Sequence, residues 1–238
     1  MSAPAPLVFA LLDEPDDLPL VGIGRALGEL IAVSARPLPA AAATDELLVG
    51  ACARGAARAV RIADPVLAGV DYLATAHVLA CAVRYLCEVR SDAPIVVLVG
   101  DRGRGAVGPA VAERLAVPHL GGVRQVALAD GKLIIDRVCG ADVRRVSGPP
   151  PVVLACVASA APSMPVEQTG APAQVERVEL ETLQITAPEL QYRQRFAPVH
   201  GAGPHARPYV VANVEHLCER LERDGLWPLR APPPEPAT

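Results

Sequence analysis

Short apolar runs alternate with helical patterns through the first half of the chain, and this alternation limits the fold more than any other feature. Each run is too short for a helix and rich in β-branched residues, which is typical of strands buried on both faces. The runs are Leu7–Leu12, Leu30–Ser34, Ala59–Ile62 and Ile95–Val99. Because a helical segment follows each run, the order predicts a parallel sheet with helices on both faces.

The helices are indicated by their end signals and by the spacing of their apolar residues. A short helix is predicted between Leu18 and Leu30, and a second over Thr44–Arg54. Thr44 is the expected N-cap of the second helix, and Gly55 is expected to end it. A third helix, with apolar residues at helical spacing, is predicted over Tyr72–Val89.

The stretch Ala93–Gly121 reads as strand, glycine-rich loop and helix. Its glycines let the backbone approach a ligand, and Pro109 suits the first position of a helix that runs to about Ala116. A helix that begins where a buried strand ends points its free N–H groups at the edge where α/β proteins bind anions. Arg102 and Arg104 would strengthen such an anion site. An ordinary tight turn explains the glycines equally well.

A second glycine motif, formed by Gly22, Gly24 and Gly28, superficially resembles a dinucleotide fingerprint. That fingerprint needs a preceding strand, and only Leu20 and Val21 separate Pro19 from the first glycine. We therefore favour a short helix here, and a nicotinamide-dependent enzyme is the last of our functional hypotheses.

The pattern changes after Gly121. The segments Val123–Ala129 and Lys132–Val138 flank Asp130-Gly131, a strong hairpin signal, and further strands are expected at Val143–Val146 and Pro151–Val157. We predict an α/β core over residues 1–157. Residues 158–238 are interpreted as an exposed loop and a partner-binding arm that ends in an amphipathic helix, Asn213–Gly225, and a disordered tail. Docking of that helix on its own sheet is an equally simple alternative.

Composition and charge exclude several classes of function. The net charge is −4 and the arginines are scattered, which argues against a nucleic-acid partner. No apolar run approaches the roughly 20 residues of a membrane span, so we expect a cytoplasmic protein without membrane insertion. The six cysteines form no C-x-x-C, and His200 and His205 lack further ligands nearby, so no metal site is predicted.

Several segments in succession resemble the β subunit of electron transfer flavoprotein. Val33-Ser34-Ala35-Arg36-Pro37 stands where that family has V-S-x-G-P, and Gly50–Pro65 is similar to its A-L-x-x-G-A-D-R-A-x-x-V segment. Leu73-Ala74-Thr75-Ala76 resembles the start of the family's A-T-A helix. The run from Gly105 to Pro118 resembles G-Q-V-G-P-x-L-A-E-x-L-G-x-P. The hairpin, the later strand, the exposed loop and the last helix follow in family order, so the resemblance spans nearly the whole chain.

The resemblance implies a fold and a function. The fold is a Rossmann-like α/β nucleotide-binding core, similar to adenine nucleotide alpha hydrolases, with a β-hairpin extension and an extended C-terminal arm. The family's β subunit pairs with an α subunit that holds most of an FAD, and it usually binds AMP itself or, in electron-bifurcating members, a second FAD. Electrons pass from dehydrogenases, commonly acyl-CoA dehydrogenases, to an acceptor. The loop Ala161–Ala173 would dock the dehydrogenase, with Ser163–Val166 near the family's recognition leucine.

Carried over residue by residue, the resemblance places nucleotide contacts at ten positions when the two loop arginines are included. They are Ala10, Ala35, Val99, Gly100, Asp101, Arg102, Arg104, Gly105, Ala106 and Val107. Small residues and backbone N–H groups would bind the adenine and the phosphate without a catalytic side chain.

The chain departs from the family pattern in three places. The glycine loop lacks most of the family's acidic part, only Asp13–Gly28 replaces a longer N-terminal insertion, and the acidic hairpin signature is reduced to Arg137–Asp142. The first two differences fall around the nucleotide pocket and argue against AMP, and more strongly against a second flavin.

Two hypotheses remain in the foreground. The first is an electron-carrying β-like subunit, for which the absence of Ser-His-Asp, Cys-His and paired-carboxylate constellations is expected because an electron carrier is not an enzyme of bond chemistry. The alternative is a stand-alone nucleotide-binding or regulatory domain of the same fold that has lost electron transfer.

Overall fold

The computed structural model describes residues 4–37, 40–88, 93–101, 106–157, 175–190 and 214–223. The chain forms two compact units, Met1–Gln194 and Arg195–Thr238. Helix α5, Val214–Arg223, is the described part of the second unit and agrees with the amphipathic helix predicted there. The predicted loop Ala161–Ala173 and the residues 191–213 and 224–238 of the arm lie outside the described residues.

A nine-stranded sheet forms the centre of the first unit. Its strands are β1 Leu7–Leu11, β2 Glu29–Arg36, β3 Arg58–Ala63, β4 Ile95–Gly100, β5 His119–Ala129, β6 Lys132–Cys139, β7 Asp142–Gly148, β8 Val152–Cys156 and β9 Val175–Val178. Their order across the sheet is β7-β6-β5-β8-β4-β1-β2-β3-β9. Within the row β5-β8-β4-β1-β2-β3-β9, every strand is parallel to its neighbours. The pairs β5–β6 and β6–β7 are antiparallel.

Helices cover both faces of the sheet, as the alternation of elements predicts. The helices of the first unit are α1 Pro19–Leu27, α2 Ala41–Ala53, α3 Tyr72–Cys87 and α4 Val107–Leu115. Residues of α1 and α2 belong to one buried apolar cluster, and residues of α3 and α4 belong to the other. Because consecutive strand residues point to opposite faces, the central strands contribute to both clusters and are apolar throughout.

The predicted hairpin is confirmed, and its turn has the required backbone. Asp130 and Gly131 have φ values of 52° and 72°, the left-handed conformations of a tight two-residue turn. Strand β5 is longer than predicted because its first residues pair with β8 before the chain turns to pair with β6. At that change of partner Gly122 has a φ of +70°, and a Cβ there would lie 2.7 Å from the Val138 carbonyl oxygen.

Two helix starts differ from the prediction. Helix α2 begins at Ala41, and Thr44 is a buried helical residue whose Oγ1 donates to the Ala40 carbonyl oxygen at 2.8 Å, so Thr44 is not the N-cap. Helix α4 begins at Val107, two residues before Pro109. Pro109 still lies in the first turn, where a missing N–H leaves no intrahelical hydrogen bond unmade.

The segment 175–190 adds structure that we did not predict. Strand β9 pairs with β3, and Arg58 of β3 contacts Glu176 of β9 at 2.6 Å. Beyond β9, Leu180, Leu183 and Ile185 are buried in the same apolar cluster as α3. The sheet therefore continues past residue 157, and the interpretation of the remaining C-terminal residues as a partner-binding arm stays a prediction.

Candidate functional site

A cavity of about 240 Å³ lies at the carboxyl ends of β1 and β4. From β1 the sheet continues through β2 and β3 on one side and through β4 and β8 on the other. This is a topological switch point, the position at which open α/β sheets bind their ligands. The cavity is therefore the candidate functional site of this chain.

Apolar side chains from both faces of the sheet form the walls of the cavity. Leu20 and Ile23 come from α1 on one face, and Leu79 comes from α3 on the other. Val99 of β4 and Val107 of α4 add to the apolar surface. Such walls suit an apolar or planar ligand group held by a small number of polar contacts.

The charged residues that line the cavity, among those the structure describes, are all acidic. They are Asp13, Glu14, Asp16, Asp17 and Asp101. The first four belong to the segment after β1, and Asp101 follows β4 directly. Their charges oppose the binding of an anionic ligand group and favour a neutral or cationic one.

Asp17 contacts both the acidic segment and the end of β4. It ends a short 3₁₀ helix, Pro15–Asp17, and its Oδ2 accepts hydrogen bonds from the backbone N–H groups of Asp13 at 2.8 Å and Glu14 at 3.0 Å. Its Oδ1 lies against Gly100, at 2.3 Å from the position of an added Cβ. Burial raises the pKa of Asp17, although the two backbone hydrogen bonds oppose the shift.

Arg36 attaches the acidic segment to the end of β2. Its Nη1 donates to the Asp13 carbonyl oxygen at 2.7 Å, and its Nε lies 3.6 Å from Asp13 Oδ1. The guanidinium therefore orients the turn that carries the carboxylates, and Arg36 does not line the cavity itself.

The structure brings together part of the predicted nucleotide site. Ala35, Val99, Gly100, Asp101 and Val107 all line the cavity. Ala10 is fully buried within β1 and does not reach it, and Ala106 is an exposed residue that precedes α4. The predicted contacts Arg102, Arg104 and Gly105 lie outside the described residues.

The acidic segment is not among the site residues predicted from the sequence. The signal was present, because Asp13-Glu14-Pro15-Asp16-Asp17 follows β1 directly and so lies at the carboxyl edge of the sheet. The prediction placed Asp13–Gly28 around the nucleotide pocket, but it assigned Asp13–Asp17 to a turn and to no ligand contact. Cys156, at the end of β8, was also not predicted to line the site; burial and the charge of Asp101 raise the pKa of its thiol to about 12.

His119 stands at the start of β5, beside the first turn of α4. Its Nε2 is 3.2 Å from the position of an added Cβ at Gly108, and this atom has no hydrogen-bond partner among the described residues. Burial lowers the pKa of His119, Asp101 opposes the shift, and Arg137 adds to it. These surroundings therefore disfavour the charged form of the imidazole beside Gly108.

Neither a metal-binding cluster nor a membrane-spanning helix occurs in the described part of the chain. No group of three or more His, Cys, Asp or Glu side chains with metal-binding geometry occurs there. Of the helices whose residues are described, none is long and apolar enough to cross a membrane.

Comparison with known proteins decides the family. A model of the electron transfer flavoprotein domain matches residues 14–183, which is well over half of the chain. The chain belongs to the electron transfer flavoprotein family. The match includes Glu14–Asp17 of the acidic segment, the glycine loop, the hairpin and β9, and it confirms the predicted resemblance to the family's β subunit.

The chain is also similar to a curated protein, Protein FixA of Azorhizobium caulinodans. It is 41% identical over 80 residues, which is 32% of this chain and 28% of the relative. The chain therefore matches less than a third of the length of that relative, and this similarity alone carries no statement about the whole protein.

Members of the electron transfer flavoprotein family generally bind FAD and AMP. The described residues of the cavity do not fit the phosphate of AMP, because Asp17 places its own carboxylate against Gly100 and its Oδ2 already accepts the N–H groups of Asp13 and Glu14. The apolar walls remain suited to an uncharged ring system.

Proposed function

We propose that this chain is the β-like subunit of an electron transfer flavoprotein. In this function it pairs with an α subunit that holds the FAD, and the pair carries electrons from dehydrogenases, such as acyl-CoA dehydrogenases, to an acceptor. The observation that carries the proposal is the family match over residues 14–183. The α/β core and the order of its elements support it.

The role of this chain in the pair is structural and electrostatic. The FAD of the α subunit would supply the electron chemistry, and the β-like chain would contribute the sheet, the cavity and a surface that covers its partner.

Helix α5 is the part of the described chain that we propose as a contact with the α subunit. Leu217, Cys218 and Leu221 share one face of this helix. Leu217 is 40% exposed, and Glu219 and Glu222 are exposed polar residues. An amphipathic helix with an exposed apolar residue is suited to cover an apolar groove of a partner.

The dehydrogenase-docking role of Ala161–Ala173 remains a further part of the proposal. It rests on the family resemblance alone, because this loop lies outside the described residues.

Co-expression with an α subunit encoded in the same genome tests the proposed function. Size-exclusion chromatography with detection at flavin wavelengths should show one yellow species that contains both chains in equal amounts. A chain that elutes alone and colourless with every co-encoded α subunit would contradict the proposal. That result would favour the stand-alone nucleotide-binding or regulatory domain instead.

A pair of α5 variants makes the same experiment specific. Leu217→Asp places a charge on the apolar face and should abolish the yellow species, whereas Glu219→Ala on the polar face should leave it intact. Circular dichroism of each isolated variant checks that the fold is retained. Equal pairing by both variants would remove α5 from the proposed interface.

A further inference from the structure

The acidic segment after β1 contains an anion-binding arrangement that the chain fills with its own side chain. Two successive backbone N–H groups, those of Asp13 and Glu14, point at one oxygen atom, and that atom is Oδ2 of Asp17. Successive backbone N–H groups that converge in this way form the concave sites that bind phosphate in many α/β proteins. In this chain a carboxylate takes the place of such a phosphate.

The second carboxylate oxygen of Asp17 lies at the end of β4. Oδ1 lies against Gly100, the last residue of β4, where the missing Cβ allows a close approach. The backbone N–H of the next residue, Asp101, donates a hydrogen bond to the Cys156 carbonyl oxygen at 3.0 Å. The carboxylate of Asp17 therefore already occupies the space beside Gly100. The N–H of Asp101 already has a hydrogen-bond acceptor within the chain.

The charges around the cavity also disfavour a phosphate at Gly100. Burial raises the pKa of Asp17, and the nearby carboxylates of Asp13 and Glu14 add to the shift, so a further anion here is disfavoured. Asp101, which follows β4, adds another carboxylate. A phosphate brought to Gly100 would face both charges in a partly dehydrated space, where like charges repel far more strongly than in water.

We propose that Asp17 is a specificity-determining residue that reserves the Gly100 end of the cavity for an uncharged ligand group. The ligand that fits is a nucleoside-sized molecule without a phosphate. The volume of about 240 Å³ is below the roughly 300 Å³ at which drug-sized ligand sites begin, and the apolar walls accept a planar ring. The position at the switch point of the sheet is where α/β folds bind nucleoside-containing ligands.

This inference rests on the ligand role of the cavity, and it does not depend on pairing with an α subunit. A capping role for Asp17, in which its carboxylate only closes the 3₁₀ helix, is the competing explanation. The two explanations differ in one measurable quantity, the ratio of the affinities for an anionic ligand and for its uncharged counterpart.

The experiment measures the binding of adenosine and of AMP to the full chain by isothermal titration calorimetry at pH 7.5. The wild type should bind adenosine at least tenfold more tightly than AMP. Asp17→Asn and Asp17→Ser keep an acceptor for the two N–H groups but remove the charge, and each should shift the ratio towards AMP by at least tenfold. Adenosine affinity should stay within about threefold, which also shows that the variants fold.

Glu46→Gln is the control, because Glu46 is an exposed carboxylate of α2 that does not line the cavity. It should change the ratio by less than about threefold. The proposal is overturned if the wild type binds AMP as tightly as adenosine, if it binds neither, if the Asp17 variants leave the ratio unchanged, or if Glu46→Gln changes it equally. Because the assay uses this chain alone, failure to form a yellow heterodimer is a separate result.

Discussion

Arg61 donates a hydrogen bond from Nη1 to Asp45 Oδ2 at 2.7 Å, and this contact joins β3 to α2. The Arg61 side chain is 3% exposed, whereas that of Asp45 is 38% exposed. The same Nη1 donates to the Ala41 carbonyl oxygen at 3.1 Å, so the guanidinium also holds the first turn of α2. In the sheet, Arg61 pairs with Ser34 of the neighbouring strand β2.

Substitution of Asp45 and substitution of Arg61 should lower the free energy of unfolding by different amounts. Asp45→Ala leaves the buried Arg61 without its counter-ion and should lower the free energy of unfolding by about 2–3 kcal/mol, somewhat less than for a fully buried pair. Arg61→Met replaces the buried charge with an apolar chain and leaves Asp45 in partial contact with water, so it should cost less. Urea unfolding measures both. Glu46→Ala, an exposed neighbour, should change stability by less than about 0.5 kcal/mol, and equal losses in Asp45→Ala and Arg61→Met would contradict this account.

Gly28 separates α1 from β2, and an added Cβ there would lie 2.1 Å from the Pro6 carbonyl oxygen. Because the obstacle is backbone, Gly28→Ala should lower the free energy of unfolding by about 1–3 kcal/mol. Gly148→Ala is the control, since no described heavy atom lies within 4 Å of an added Cβ at that position. Thermal or urea unfolding that ranks the two variants in the opposite order would refute the close approach.

His119 should titrate below its ordinary pKa of 6.5, because burial disfavours its charged form. The unfolded chain then binds more protons than the folded chain between the two pKa values, so stability falls as the pH drops below 6.5 through this window. An NMR titration of the imidazole measures the midpoint. Asp101→Asn should lower it further and Arg137→Gln should raise it. A midpoint above 6.5 in the wild type would show that the imidazole is not desolvated.

Cys156 should be inert in the native protein. Its thiol is buried beside the cavity, and its pKa is raised to about 12, so almost no thiolate exists at pH 8. Iodoacetamide at pH 8 followed by peptide mass spectrometry should leave Cys156 unmodified until the protein is unfolded. Cys52 and Cys139 are only half-buried and provide internal comparisons. Rapid modification of Cys156 in the native state would mean that the end of β8 opens readily.

The sequence by itself determined the core of this protein, because the signals for a buried strand and for a tight turn are local. The apolar runs from Leu7 to Val99 predicted β1 to β4, and Asp130-Gly131 predicted the hairpin. The lack of a strand before Gly22 correctly favoured a helix, α1, over a dinucleotide fingerprint. The order of motifs also indicated the electron transfer flavoprotein family, which the match over residues 14–183 confirms.

Tertiary structure decided what depends on residues far apart in the chain. Thr44 is a residue type that favours the N-cap position. In the fold it lies within α2 and is buried where this helix packs on the sheet. The pairing of β9 with β3 joins segments more than a hundred residues apart, and no local pattern specifies that register. The contact of Asp17 with Gly100 likewise depends on the parallel pairing of β1 with β4. Local chemistry specified the elements, and only their packing brought a carboxylate to the glycine loop.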